Sequence, residues 1–179
     1  GDSDVILVAD GQVLDLGSGS LAIPESAVLS NGSNAPVIDT QYGDADLEQI
    51  FGAGSAASRP TISNGTLTVA SDTTIEGFDF TNATITNRST SNVRISNNIF
   101  NGSANGEGAI VFDGATDVVI AGNTITNPTT SALPGSTVAT NIGRGIAVKN
   151  GDNISITGNT VEGATAEGIY IENIGTSTK

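Results

Sequence analysis

Cysteine and histidine are both absent from this 179-residue chain, and so are methionine and tryptophan. Without the first two there is no disulfide, no thiolate nucleophile, no imidazole acid or base and no usual zinc or copper ligand set. Any catalysis would have to use carboxylates, Arg, Lys or Tyr. Aromatic residues are scarce, with five Phe and two Tyr. A core must then be filled by stacked Ile, Val, Leu and Ala, which suits pleated, repetitive packing and not a helical bundle.

Basic residues are few, six against 19 acids, for a net charge of −13. Residues 1–51 hold nine acids and no base, whereas 52–179 hold ten acids and six bases. Such a surface repels a phosphate backbone, so nucleic acid is not an expected partner. No apolar run approaches the ~20 residues that cross a bilayer, so no membrane insertion is expected. The chain opens Gly1-Asp2-Ser3, without an initiator Met or a basic leader, and reads as a mature or excised segment.

What the chain does have is glycine, 23 residues of it, and abundant Asn, Ser and Thr, which supply turns at short intervals. An apolar content of 37 % suffices for one elongated domain with a long, thin core.

Self-similarity organises the rest. The segments 92–100, 117–125 and 153–161 share one pattern: Asp/Asn, apolar, any, Ile, any, Gly/Asn, Asn, any, apolar. Segment 72–80 is a weaker fourth copy. A second unit follows each later copy, at 108–113, 145–150 and 168–173. The key isoleucines Ile75, Ile95, Ile120 and Ile156 are spaced by 20, 25 and then 36 residues. The excess falls in the Pro-, Thr- and Ser-rich stretch Asn127–Asn141, which reads as a loop thrown out of one coil.

Apolar and polar residues alternate within each unit, and strands this short are stable only when successive coils stack ~4.8 Å apart. The alignment places three columns inside: Ile75, Ile95, Ile120 and Ile156; Val111, Val148 and Ile171; and Phe80, Phe100, Ile125 and Val161. Asn98, Asn123 and Asn159 are expected to form an asparagine ladder at a turn.

Through these units the chain resembles the right-handed parallel β-helix repeat proteins of the pectate-lyase-like superfamily, well over about Pro60–Lys179 and loosely before it. The fold class expected is all-β, a right-handed parallel β-helix. Residues 1–59 are expected as irregular N-terminal coils with a capping helix, and 60–179 as regular coils of the same continuous domain.

In the N-terminal third, Val5–Ala9, Gln12–Leu16, Leu21–Ile23 and Ala27–Ser30 read as short strands. Asp44–Gly52 reads as a short helix, spanning 44–51, with an N-cap Asp, acids in its first turn and apolar Leu47, Ile50 and Phe51 on one face. Asp44, Asp46 and Glu48 also offer oxygen ligands for calcium, against the simpler reading that they cap the helix and complement its dipole.

The resemblance implies enzymes that cut or epimerise acidic polysaccharides, by clustered aspartates or by calcium with Arg or Lys, on an outer sheet face. Here the comparable patch comes from the second unit. Glu107, Arg144 and Glu167 precede its glycines, Phe112, Lys149 and Glu172 form one outward column, and Ile110, Ala147 and Tyr170 another. As a site, Glu107, Arg144, Lys149, Glu167, Tyr170 and Glu172 are the catalytic candidates, with the paired carboxylates as acid and base, and Arg144, Lys149 and Tyr170 are also the candidates for contacting carbohydrate. As structure alone, the alternating charges are an ion-pair ladder on a solvated strand. The Asn-Thr-Asp, Asp-Asp and His-Gly pattern of polygalacturonase-like enzymes is absent, as is the closely spaced Arg and Asp set of pectate lyases. A threonine lattice of the ice-binding kind is disfavoured, because the aligned columns mix Asp79 and Ile99 with Thr124 and Thr160. Six Asn-x-Ser/Thr sequons, at Asn31, Asn64, Asn82, Asn87, Asn101 and Asn153, are what chance gives in such a composition.

The functional expectation is a non-catalytic, secreted or cell-surface module: a stalk, an adhesin or a scaffold that contacts a polysaccharide or cell-surface glycan. The alternative is a polysaccharide lyase, hydrolase or epimerase. The chain stops soon after Ile169–Ile171 without a cap, so further coils or an end-to-end contact through the open C-terminal coil are expected.

Overall fold

The computed structural model describes residues 4–8, 11–31, 37–40, 43–46, 59–87, 89–104, 106–128 and 143–175. In chain order the strands are β1 (Asp4–Val8), β2 (Val13–Asp15), β3 (Ser20–Ile23), β4 (Ala27–Asn31), β5 (Val37–Thr40), β6 (Gly43–Asp46), β7 (Thr61–Val69), β8 (Thr74–Glu76) and β9 (Asp79–Asn87). They continue with β10 (Ser91–Ser96), β11 (Ile99–Asn101), β12 (Gly108–Asp113), β13 (Thr116–Ala121), β14 (Thr124–Thr126), β15 (Arg144–Lys149), β16 (Asp152–Thr157), β17 (Thr160–Glu162) and β18 (Ile169–Glu172).

Apart from the antiparallel pair β5–β6, the strands stack in parallel as a solenoid. One sheet runs β1-β4-β8-β10-β13-β16. The other has two halves joined by the nine-residue strands β7 and β9. Their first halves continue into β11, β14 and β17 and their second halves into β12, β15 and β18, while β2 and β3 pair the two ends of β7.

Two of the three expected columns are in vertical register. Ile75, Ile95, Ile120 and Ile156 are direct partners, and Leu29 and Ile6 extend the column through the N-terminal strands. Phe80, Phe100, Ile125 and Val161 form a second, to which β7 adds Ile62. The rings of Phe80 and Phe100 stack with centroids 4.6 Å apart. Each fully buried Ile or Phe contributes about 1.5–3 kcal/mol by leaving water, and stacking like on like lets one solution repeat from coil to coil. The mixed columns that argue against a threonine lattice are also present, with Asp79, Ile99, Thr124 and Thr160 in one register.

Asparagine fixes the turns. Asn98 Nδ2 donates to Asn123 Oδ1 at 3.2 Å, and Asn123 Nδ2 to Asn159 Oδ1 at 2.9 Å. The same amides donate to the carbonyls of Ile75, Ile95 and Ile120, so each ties its own coil to its neighbours. In the first copy Phe78 occupies the asparagine position, and its backbone N–H closes the ladder by donating to Asn98 Oδ1. The residue that opens each copy has a left-handed backbone: φ is 56° at Asp72, 54° at Asn92, 54° at Asp117 and 50° at Asn153. Asn and Asp tolerate that conformation where β-branched residues do not. Elsewhere glycine is favoured at 102, since its φ is +80° and a Cβ there would stand 2.5 Å from Asn82 Oδ1 and force that side chain to move.

Two expectations are corrected. The short helix at 44–51 is not present as such: Gly43–Asp46 is strand β6, antiparallel to β5, with Asp44 opposite Asp39. The β-branched segment Val37-Ile38-Asp39-Thr40 offers a strand partner a few residues away, and that pairing outweighs the capping signal of a lone Asp. Residues 47–58 lie outside the described residues, as do the side chains of Asp44 and Asp46, and with them the calcium candidates Asp44, Asp46 and Glu48. The loop expected at Asn127–Asn141 lies outside them too, apart from Asn127 and Pro128.

The second correction is one of register. Gly108 pairs with Arg144, Ile110 with Ile146, Phe112 with Val148 and Asp113 with Lys149, one residue off the alignment of glycine on glycine. A shift of one residue exchanges the faces of a strand. Phe112 and Ile110, expected outside, are completely buried in the core. Phe112, not Val111, stacks with Val148 and Ile171.

Candidate functional site

That register decides the outer face of β3, β7, β9, β12, β15 and β18. Its central column reads Ala22, Thr68, Thr86, Val111, Ala147 and Tyr170, and beside it Asp113, Lys149 and Glu172 form another. The charged candidates converge at the β15–β18 end. Arg144 Nε donates to Glu167 Oε2 at 2.8 Å, and the guanidinium carbon sits 3.7 Å from the centroid of the Tyr170 ring. Lys149 Nζ lies 3.3 Å from Glu107 Oε1. Tyr170 donates its hydroxyl proton to Glu172 Oε2 at 2.8 Å.

All six residues singled out from the sequence therefore meet on one face, but with different partners. The ladder Glu107–Arg144–Glu167 does not run straight, because Gly108 takes the place opposite Arg144. Glu107 engages Lys149 instead, four residues further along the next coil's strand than Gly145. Nor is Arg144 a solvated rung: it is 9 % exposed, its planar cation covering the tyrosine ring while its partner Glu167 stays open to water.

The electrostatics follow. The hydrogen bond from Arg144 holds the Glu167 carboxyl below its ordinary range, so it stays ionised. The hydrogen bond to Glu172, with some desolvation, pushes the Tyr170 phenol up. Both groups keep their resting protonation state near neutrality.

At the other end of the face, Glu25, Thr68, Val69, Ala70, Ser71, Thr86 and Thr90 line a concavity of about 610 Å³. Sequence reading missed it, because its walls come from β7, β9 and the turns after β3, β7 and β9, which adjoin only once the coils stack. Also missed was the corner where Arg59 donates to the carbonyl of Asn97 and its Nε stands 4.0 Å from Asp79 Oδ1. That distance is beyond hydrogen-bond reach, so the buried Oδ1 has a cation nearby but no donor. Desolvation dominates there and raises the Asp79 carboxyl above its ordinary value, against the pull of Arg59. Outer ladders were also missed: Asn92 donates to Asp72, Asn153 to Asp117, and Asn150 to Asp113. Their signal was the Asp or Asn that opens the first unit, or closes the second, in each repeat. Among the sequons, Asn87 is buried with its amide engaged by Thr90, which leaves no room for a glycan on it.

Among the described residues no three acids gather as a metal centre, and no helix is long and apolar enough to cross a membrane. No curated protein and no solved structure matches the chain. The family model described as the right handed beta helix region matches residues 26–178. With parallel strands, aligned core columns and an asparagine ladder already in place, this all-β chain belongs to the right-handed parallel β-helix family.

Proposed function

We propose that the chain is a non-catalytic extracellular scaffold, secreted or held at a cell surface, that contacts a glycan through the outer face of β3, β7, β9, β12, β15 and β18. The observation that carries this reading is that the ionisable groups at the β15–β18 end are closed onto one another: Arg144 on Glu167, Lys149 on Glu107, Tyr170 on Glu172. A general acid must hold a proton it can release near neutrality, and a base must be unprotonated and unclaimed. Glu167, kept ionised by Arg144, meets the first requirement poorly, and Tyr170, with its phenol pushed up, meets the second poorly. The same groups, with Thr68 and Thr86 along the face, offer donors and acceptors to sugar hydroxyls, and the tyrosine adds an apolar surface.

Incubation with a panel of polysaccharides, with and without calcium, tests the reading. Binding is expected without new reducing ends or unsaturated products. Turnover lost in Arg144→Ala or Glu167→Gln while the fold is kept would establish the alternative, a lyase, hydrolase or epimerase. Contact with a second molecule through the edge of β18 is a further part of the proposal, supported by Ile169 and Ile171 at 45 % and 47 % exposure.

A further inference from the structure

We infer that the glycan this face takes is uncharged: a neutral, hydroxyl-rich oligosaccharide and not a uronate or sulfated polymer. This rests on the glycan-contact reading above and narrows it.

The charge balance of the face is the first ground. Its described charged residues are Glu25 in the concavity, then Glu107, Asp113, Arg144, Lys149, Glu167 and Glu172, five acids against two bases. The concavity itself has one charged wall residue, an acid. Neighbouring coils are ~4.8 Å apart, inside the screening length of about 8 Å at physiological ionic strength, so an anion arriving here meets the acids as well as the bases. Beyond that distance it meets a chain of net charge −13.

The second ground is how the two cations are held. Arg144 is spent on a 2.8 Å hydrogen bond to Glu167 and on the Tyr170 ring, and Lys149 on Glu107. A bound carboxylate would have to displace one of these glutamates, gaining a contact only by losing an equivalent one. A hydroxyl group has no such conflict. It accepts from the N–H groups that Arg144 and Lys149 still carry and donates to a glutamate oxygen, so both members of each ion pair serve it at once. Thr68 and Thr86, hydroxyl-bearing and half-buried along the same column, extend that chemistry toward the concavity.

The test is calorimetric titration of the protein with neutral gluco-, xylo- and manno-oligosaccharides, with oligogalacturonate and with a deacetylated chitin oligomer, at low and at high salt. A neutral oligomer is expected to bind with affinity nearly independent of salt, and oligogalacturonate at least about tenfold more weakly. Glu167→Gln, which keeps the shape and releases Arg144 from its counter-charge, is expected to raise oligogalacturonate affinity severalfold and so to narrow the preference for the neutral oligomer by at least that factor; an unchanged melting temperature certifies its fold. Oligogalacturonate or the chitin oligomer binding as tightly as the best neutral oligomer would overturn the inference and leave the glycan reading standing. Binding of none would overturn the glycan reading itself.

Discussion

The two strand units of each coil were equally visible in the sequence, yet one stacks throughout in the register its pattern suggests, while the other does so between β15 and β18 and slips by one residue between β12 and β15. In the first unit, Asn98, Asn123 and Asn159 hydrogen-bond to carbonyls and amides of adjacent coils, so the side chain that marks the repeat is the one that locks it. In the second unit the marker is a glycine, which pins nothing, and the segments leading into β12 and β15 differ in length. Register is then set by what must be buried, and burying the ring of Phe112 outweighs matching glycine to glycine.

Phe112 separates the two registers with the largest effect. Phe112→Ala is expected to cost about 3–5 kcal/mol in urea unfolding, as a fully buried ring should, and Val111→Ala much less. Equal losses, or a greater loss at Val111, would restore the glycine-on-glycine alignment. A smaller change comes from the ladder: Asn123→Ala removes an amide bonded to two neighbouring coils and is expected to cost about 2–3 kcal/mol, because buried donors and acceptors lose their partners. Amide hydrogen exchange should speed up at Asn98, whose N–H donates to Asn123 Oδ1, before it does at Ile110.

The smallest effect lies at the corner of Arg59 and Asp79, and it depends on pH. A carboxyl whose folded pKa is raised favours the folded state below its unfolded pKa and loses that advantage as pH rises through the folded value. Asp79→Asn should therefore raise the melting temperature at neutral pH, and the gain should shrink as pH falls through the carboxylate range. A drop in melting temperature at neutral pH would mean that the attraction of Arg59 exceeds the desolvation cost.

Composition and repetition determined the fold. A chain without cysteine or histidine and almost without aromatics has one way to build a core, by piling Ile, Val and Leu in columns, and the period of the pattern names the columns. Period-two alternation names the faces as well, wherever a hydrogen-bonding marker fixes the phase, as it does for Ile95, Ile120 and Ile156. Tertiary structure alone decided the rest. The short segment at Asp44 took a strand because a partner strand lay beside it, which no local capping signal encodes. Arg144 meets Glu167 and Tyr170 in the glycine-on-glycine register that β15 and β18 keep, whereas a one-residue offset between β12 and β15 sets Gly108 and not Glu107 opposite Arg144 and leaves Glu107 to pair with Lys149. That offset comes from packing summed over the stack, a quantity no single repeat contains.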